Sequence, residues 1–334
     1  MSAVYKLVGA EMSPYSVKVR SYFRGKAIAH QWIVASAAVR EEYRSYCRIP
    51  VIPVVVTPQD EGIQDSTPII ERLEADQGGP SIHPDDTVTY FLSCLLEEFG
   101  DEWANKWMFH FRWAREVDQQ SAATRLARTR DPEAADAALA PMVDKIIERM
   151  TGRVWFVGSN AQNAPQIEAG FDAALALLDR HLTARAYLFG ARPSFGDFGL
   201  APQLYSASTD PTAGARIAAR YPNVLAWLQR MLWPRVEGDF EDWTTLQATL
   251  LPFLTAQVGT RFMPWTVANL AAVRDGREEF SVDLDGQRWT QKPQKYHAKS
   301  LAALRQKYDG ITDKSALDPV LEQAGCLQGL RATA

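Results

Sequence analysis

Two serines bracket a proline and a tyrosine at Ser13-Pro14-Tyr15-Ser16, a dozen residues into the chain. The run lies between an apolar, strand-like stretch (Val4 to Val8) and a helix-like segment (Val17 to Arg24). It has the form of a Cys-x-x-Cys redox turn with both sulfurs replaced by oxygens. A strand-turn-helix presents its first motif residue at a helix N-terminus, where backbone N–H groups and the helix dipole favour negative charge. Two serines cannot cycle a disulfide, but they can hold and ionise a thiol supplied by another molecule. Ser13 also reads as a plain N-cap for a helix opening at Pro14. Ser16, one turn on, reads as structural and as the backup hydroxyl.

The elements that must position this turn follow a βαβ then αββα order over residues 1–79. Val4–Val8 and His30–Val34 read as strands, Arg40–Cys47 as a charged helix, and Val51–Thr57 as a β-branched strand containing a proline. Gly62–Gln64 follows as a short strand. Thr67–Ala75 is amphipathic, with Ile69, Ile70 and Leu73 on one face and Glu71 and Glu74 on the other. Gln77-Gly78-Gly79-Pro80 stops that helix. The order is that of a thioredoxin-like α/β domain. Residues 80–235 read as all helical; Phe171, Leu175 and Leu178 recur on one face of Glu168–His181. Ser194 and Asp197 there read as a structural capping box, whose loss costs roughly 1 kcal/mol. Residues 236–334 read as an extension: a helix over Trp243–Leu254, a hairpin turning at Asp285-Gly286, and a helix over Tyr296–Tyr308.

Composition sets the class. The 334 residues are 46% hydrophobic with a net charge of −4, and the first 80 carry nine basic against nine acidic side chains. No basic face is implied, which argues against nucleic acid as a partner. Thr244–Thr260 is uncharged but broken by Pro252, so no membrane span is expected. The start of the chain shows no signal-peptide pattern. Cys47, Cys94 and Cys326 are far apart, and with that absence they point to a reduced, cytoplasmic setting. The five histidines show no metal spacing. Asp283-Leu284-Asp285-Gly286 faintly suggests a calcium loop, but Lys292 stands where its terminal glutamate belongs.

Four local features together resemble the cytosolic glutathione transferases, serine-type and zeta-like members in particular, over about 230 residues. They are Ser13-Pro14-Tyr15-Ser16-Val17-Lys18-Val19-Arg20, Val51-Ile52-Pro53-Val54, Gln64-Asp65-Ser66, and Ser194-x-x-Asp197. The resemblance implies that Ser13 donates a hydrogen bond to the sulfur of glutathione, a co-substrate, with no metal. It implies that Ile52, before a cis Pro53, pairs with the cysteinyl backbone. It implies that Ser66 holds the γ-glutamyl carboxylate and that Asp65 attracts the ammonium. Ser66 equally reads as a plain N-cap. Val51 and Pro50 replace the Gln and Lys common in the family. Arg48 and Arg44 are then the partners within reach for the glycyl carboxylate, or plain solvated charges.

A second-substrate pocket for a small hydrophobic, aromatic electrophile is expected above Ser13. Tyr15 borders it, and Trp107, His110, Arg112 and Trp113 come from a dense aromatic stretch that core packing also explains. A homodimer is expected. The competing readings are a glutathione-dependent isomerase or ether-cleaving enzyme, and a non-catalytic binding or interaction module of the same fold.

Overall fold

A computed structural model of the chain describes residues 4–331. The first part comprises β1 (Tyr5–Gly9), α1 (Pro14–Gly25), β2 (His30–Val34), α2 (Ala37–Glu42), β3 (Val54–Val56), β4 (Gly62–Gln64) and α3 (Ser66–Asp76). The strands form one sheet in the order β2-β1-β3-β4, with β1 parallel to β2 and the other pairs antiparallel. This is the thioredoxin-like arrangement. Of the expected Val51–Thr57 run, only Val54, Val55 and Val56 stay in the ladder. Pro53 cannot donate to a ladder and stands just before it, after a cis Ile52–Pro53 bond. The expected Arg40–Cys47 helix is instead α2 plus a single 3₁₀ turn over Arg44–Tyr46.

Eight helices follow: α4 (Thr87–Phe99), α5 (Asn105–Ala114), α6 (Glu116–Arg130), α7 (Asp136–Thr151), α8 (Ala164–His181), α9 (Phe195–Ser208), α10 (Pro211–Arg220) and α11 (Pro222–Met231). A π-helical turn, Gly100–Ala104, joins α4 to α5. Helix α9 is the axis of this bundle, packing on α1, α4, α5, α10 and α11. It meets α4 backbone to backbone. A Cβ built on Gly199 would fall 2.5 Å from the Glu97 Cα, and one on Gly100 would fall 2.5 Å from the Gly199 carbonyl carbon.

The Ser194–Asp197 capping box forms at the start of α9. Asp197 also accepts from the Leu188 N–H (2.9 Å) and the Trp227 indole N–H (2.8 Å). Removing it would leave several buried donors without an acceptor, at about 1–3 kcal/mol each. The roughly 1 kcal/mol expected for a bare cap is therefore too small.

The last hundred residues form α12 (Trp243–Phe253), a π-helical segment (Leu254–Phe262), α13 (Met263–Arg274), the hairpin strands β5 (Phe280–Leu284) and β6 (Gln287–Gln291), α14 (Lys295–Asp309), α15 (Leu317–Gln323) and α16 (Leu327–Arg331). The hairpin turns at Asp285 and Gly286, with φ of 52° and 73°, as a two-residue I′ turn requires. Phe253, Trp265, Trp289, Leu304 and Leu321 lie in one continuous core with Leu7 and Phe23. The extension is therefore part of the body of the protein. Among the described residues no helix is long and apolar enough to cross a membrane.

Replacing Gly199 with Ala forces α4 and α9 apart or strains both. We expect a loss of about 1–3 kcal/mol in urea unfolding, with the melting temperature falling in parallel.

Candidate active site

Strand register brings the predicted residues to one end of the sheet. Val8 of β1 pairs with Val54 of β3, which pairs with Gln64 of β4. The turn after β1, the Ile52–Pro53 step before β3 and Asp65–Ser66 after β4 therefore share an edge. Ser13 caps α1: its Oγ accepts the Ser16 N–H at 3.3 Å. A hydroxyl that accepts in this way still has a proton to donate. The preceding loop is fixed at three points. Arg20 and the Tyr205 hydroxyl bind the Glu11 carboxylate, and the Arg112 guanidinium donates to the Met12 carbonyl (3.0 Å).

Asp65 sits at the N-cap of α3 with φ of +81°, yet its carboxylate caps no backbone N–H. It accepts instead from the Tyr296 hydroxyl, 2.5 Å away, at the start of α14. Ile52 is half-buried, and Ser66 is only 2% exposed, which leaves its hydroxyl little room. The Gln64 side chain ties down the loop before β3. It accepts from the Arg48 and Ile49 N–H groups and donates to the Ile49 and Val51 carbonyls. The Arg48 side chain is exposed on that loop.

Several expected residues stand elsewhere. Ser16 is fully buried below Gly9, where a Cβ would meet the Ser16 Cβ at 2.8 Å. It cannot serve as a backup hydroxyl. Trp107 packs edge-on against Phe99 and Phe171, and Trp113 is buried against Phe109. His110 is buried between the Ser159 hydroxyl (2.8 Å) and Glu168 (3.3 Å), and burial lowers its pKa. Arg112 spans Asp210, Ser206 and Met12. Helix α5 is buried on every side, so these side chains are core and not pocket lining. Arg112 keeps an indirect role, because it holds the Ser13 loop to the helical part. Tyr15 is half-buried and donates to the Asp101 carbonyl (3.0 Å), which the π turn leaves open to side chains. Cavities of about 500 Å³ (around His83, Tyr90 and Ile311) and 520 Å³ (along Leu251 and Thr255) are not lined by Ser13.

Behind this edge lies a charged cluster that sequence reasoning missed. Glu97, Glu98, Asp101 and Glu102 are all buried, on the end of α4 and the π turn. Their i, i+1, i+4, i+5 spacing, against a lysine in the serine motif, was the available signal. Lys18 of α1 reaches Glu97 (2.5 Å), Asp101 (2.6 Å) and the Thr67 hydroxyl of α3 (2.9 Å). From α14, His297 pairs with Glu102 and Ser300 with Glu98. Burial pushes the Asp101 carboxyl up to about 8 against the pull of Lys18, and it raises Glu98 well above the usual carboxylate range. Burial pushes the Lys106 amine down to about 7; it stacks 3.7 Å from the Trp265 ring centre. Among the described residues no group of three or more His, Cys, Asp or Glu has a metal-binding arrangement.

Two outcomes follow from this cluster. Lys18→Met removes the buried donor shared by Glu97, Asp101 and the Thr67 hydroxyl and should cost about 3–5 kcal/mol in urea unfolding at neutral pH. Lys106 excludes a proton in the folded state between pH 7 and its unfolded value of 10.5. Its cost is thus full below pH 7 and fades as pH rises through that window. The stability of the wild type relative to Lys106→Met should therefore climb from pH 7 to pH 10; a flat difference would contradict the burial argument.

Two family models match the chain: a glutathione S-transferase N-terminal domain over residues 7–81 and a glutathione S-transferase C-terminal domain over residues 161–230. No curated protein sequence matches it. Three solved structures illustrate its structural likenesses. A glutathione S-transferase from Methylobacillus flagellatus KT with glutathione bound is 19% identical, covering 68% of this chain and 94% of its own, with a TM-score of 0.41. The β-etherase LigF from Sphingobium sp. strain SYK-6 is 17% identical, covering 69% and 95%, with a TM-score of 0.47. FzlA from C. crescentus is 17% identical, covering 69% and 90%, with a TM-score of 0.44. The two matched domains stand in the order they have in glutathione S-transferases, and over them the chain is similar to that family, with a thioredoxin-like N-terminal domain and a helical C-terminal domain.

Proposed function

We propose that the protein is a serine-type glutathione transferase that ionises the thiol of glutathione for attack on a small apolar, aromatic electrophile. The observation that carries this reading is the convergence of Ser13, Ile52–Pro53 and Asp65–Ser66 at one end of the sheet. The Ser13 oxygen already accepts from the helix it caps, so its proton can stabilise thiolate over thiol. Lowering a thiol pKa from ~8.5 by about two units corresponds to roughly 2.7 kcal/mol and makes the thiolate dominant at neutral pH. The backbone of Ile52 would pair with the cysteinyl part of glutathione as an added strand. Asp65 and the first N–H groups of α3 would hold its zwitterionic end, and Arg48 the glycyl carboxylate. Residues 1–79 form the glutathione-binding domain in this reading, 80–235 the second-substrate domain and 236–334 the extension, in a cytoplasmic homodimer. Isomerisation and ether cleavage draw on the same thiolate.

A second reading, a non-catalytic interaction module, is favoured by one contact: the carboxylate expected to meet the ammonium already holds the Tyr296 hydroxyl. Calorimetric titration with glutathione at neutral pH, in two buffers of different ionisation enthalpy, separates the two. The enzyme reading expects micromolar to low-millimolar binding with proton release. In Ser13→Ala the proton release should disappear while affinity changes by less than tenfold. No binding heat from the wild type would sink the enzyme reading.

A further inference from the structure

Tyr296 comes from a part of the chain 231 residues beyond Asp65, and its hydroxyl meets the Asp65 carboxylate at 2.5 Å. Asp65 is a residue type that normally caps a helix through its own side chain. Here it has φ of +81° and its carboxylate makes no hydrogen bond to the α3 amides. A carboxylate on a left-handed backbone, with no helix amide to hold it, needs another donor to fix its direction. Tyr296 supplies that donor, and the residue is still 55% exposed at the site edge.

The first turns of α14 are themselves pinned. His297 pairs with Glu102, stacks edge-on against Trp265 (5.0 Å between ring centres), and is followed by Ser300 against Glu98 and Lys307 against Glu71 (2.5 Å). The tyrosine hydroxyl is therefore held by the buried cluster and not by a mobile arm.

We propose that Tyr296 is a positioning residue that orients the Asp65 carboxylate for the ammonium group of the thiol substrate, making the C-terminal extension part of the binding site. The inference rests on the glutathione reading above. The phenol engages Oδ2 of Asp65 and leaves Oδ1 for a cationic nitrogen. Discrimination for that nitrogen then depends on a hydroxyl contributed by the extension.

The test compares two probes, glutathione and its deaminated analogue γ-glutaryl-cysteinyl-glycine, which lacks only the ammonium. Dissociation constants are measured on the full chain for wild type, Tyr296→Phe, Tyr296→Gln and Asp65→Asn, with melting temperatures alongside. We expect the wild type to favour glutathione at least tenfold and Asp65→Asn to lose that preference. Tyr296→Phe should reduce it to about threefold or less, through weaker glutathione binding and an unchanged analogue. Tyr296→Gln, which keeps a donor, should recover part of it and covers the case in which the phenylalanine variant fails to fold. An undiminished preference in a folded Tyr296→Phe protein would overturn the proposal while leaving the glutathione reading intact. Tighter glutathione binding in that variant would also overturn it, because the tyrosine would then compete with the ligand. A wild type that binds neither probe would remove the glutathione reading and this inference with it.

Discussion

A single ammonium, that of Lys18, joins the parts of this protein. It leaves α1, the helix that Ser13 caps, and ends between the Glu97 and Asp101 side chains with the Thr67 hydroxyl of α3 as third partner. A buried charge is tolerated only when paired and hydrogen-bonded, so α1, α3 and the α4–π junction cannot shift independently. The π turn is part of this solution. It opens the Asp101 carbonyl to Tyr15 and Asn105 while its carboxylates stay directed at Lys18 and α14. The contact of Gly199 with Glu97 supplies the closeness that such short charge contacts need.

The extension completes the same network. Four acidic side chains against the one lysine of α1 would leave Glu98 and Glu102 buried without partners; Ser300 and His297 provide them. The extension also brings its own polar fastening. Gln291 accepts from the Trp265 and Trp289 indoles and donates to the Phe156 carbonyl. Removing the last hundred residues would therefore expose charge as well as apolar surface.

Much of the fold was readable from local signals. Proline at Pro14, the β-branched triplet Val54–Val56, Gly62–Gln64, the hairpin turn at Asp285-Gly286 and the Ser194 cap each act through short-range sterics or a local hydrogen bond, so their sequence carries them. Of the site, the Ser13 turn and the Asp65–Ser66 pair were legible as motifs. Their surroundings were not. Trp107, His110, Arg112 and Trp113 were expected in a pocket because aromatic and charged side chains close in sequence suggest one. Whether a helix is buried all round depends on its neighbours, and α5 is enclosed by helices distant in the chain. In the sequence Tyr296 marks only the start of a helix, because no local pattern shows that a tyrosine will meet a carboxylate 231 residues away. Asp197 does more than its local pattern shows for the same reason: the box is local, but the Leu188 and Trp227 donors are not.

The separation between Ser300 and Glu98 spans 202 residues, and it sets a schedule for synthesis. Lys18, Glu97 and Asp101 emerge from the ribosome within one early stretch. Glu98 and Glu102 must wait for α14. At ~5–20 residues per second that interval is roughly 10–40 s. Until α14 is made, the acidic seam lacks the partners that Ser300 and His297 supply. Over that stage its charge is accessible to ions and chaperones, a vulnerability that belongs to the act of translation and vanishes from the finished molecule.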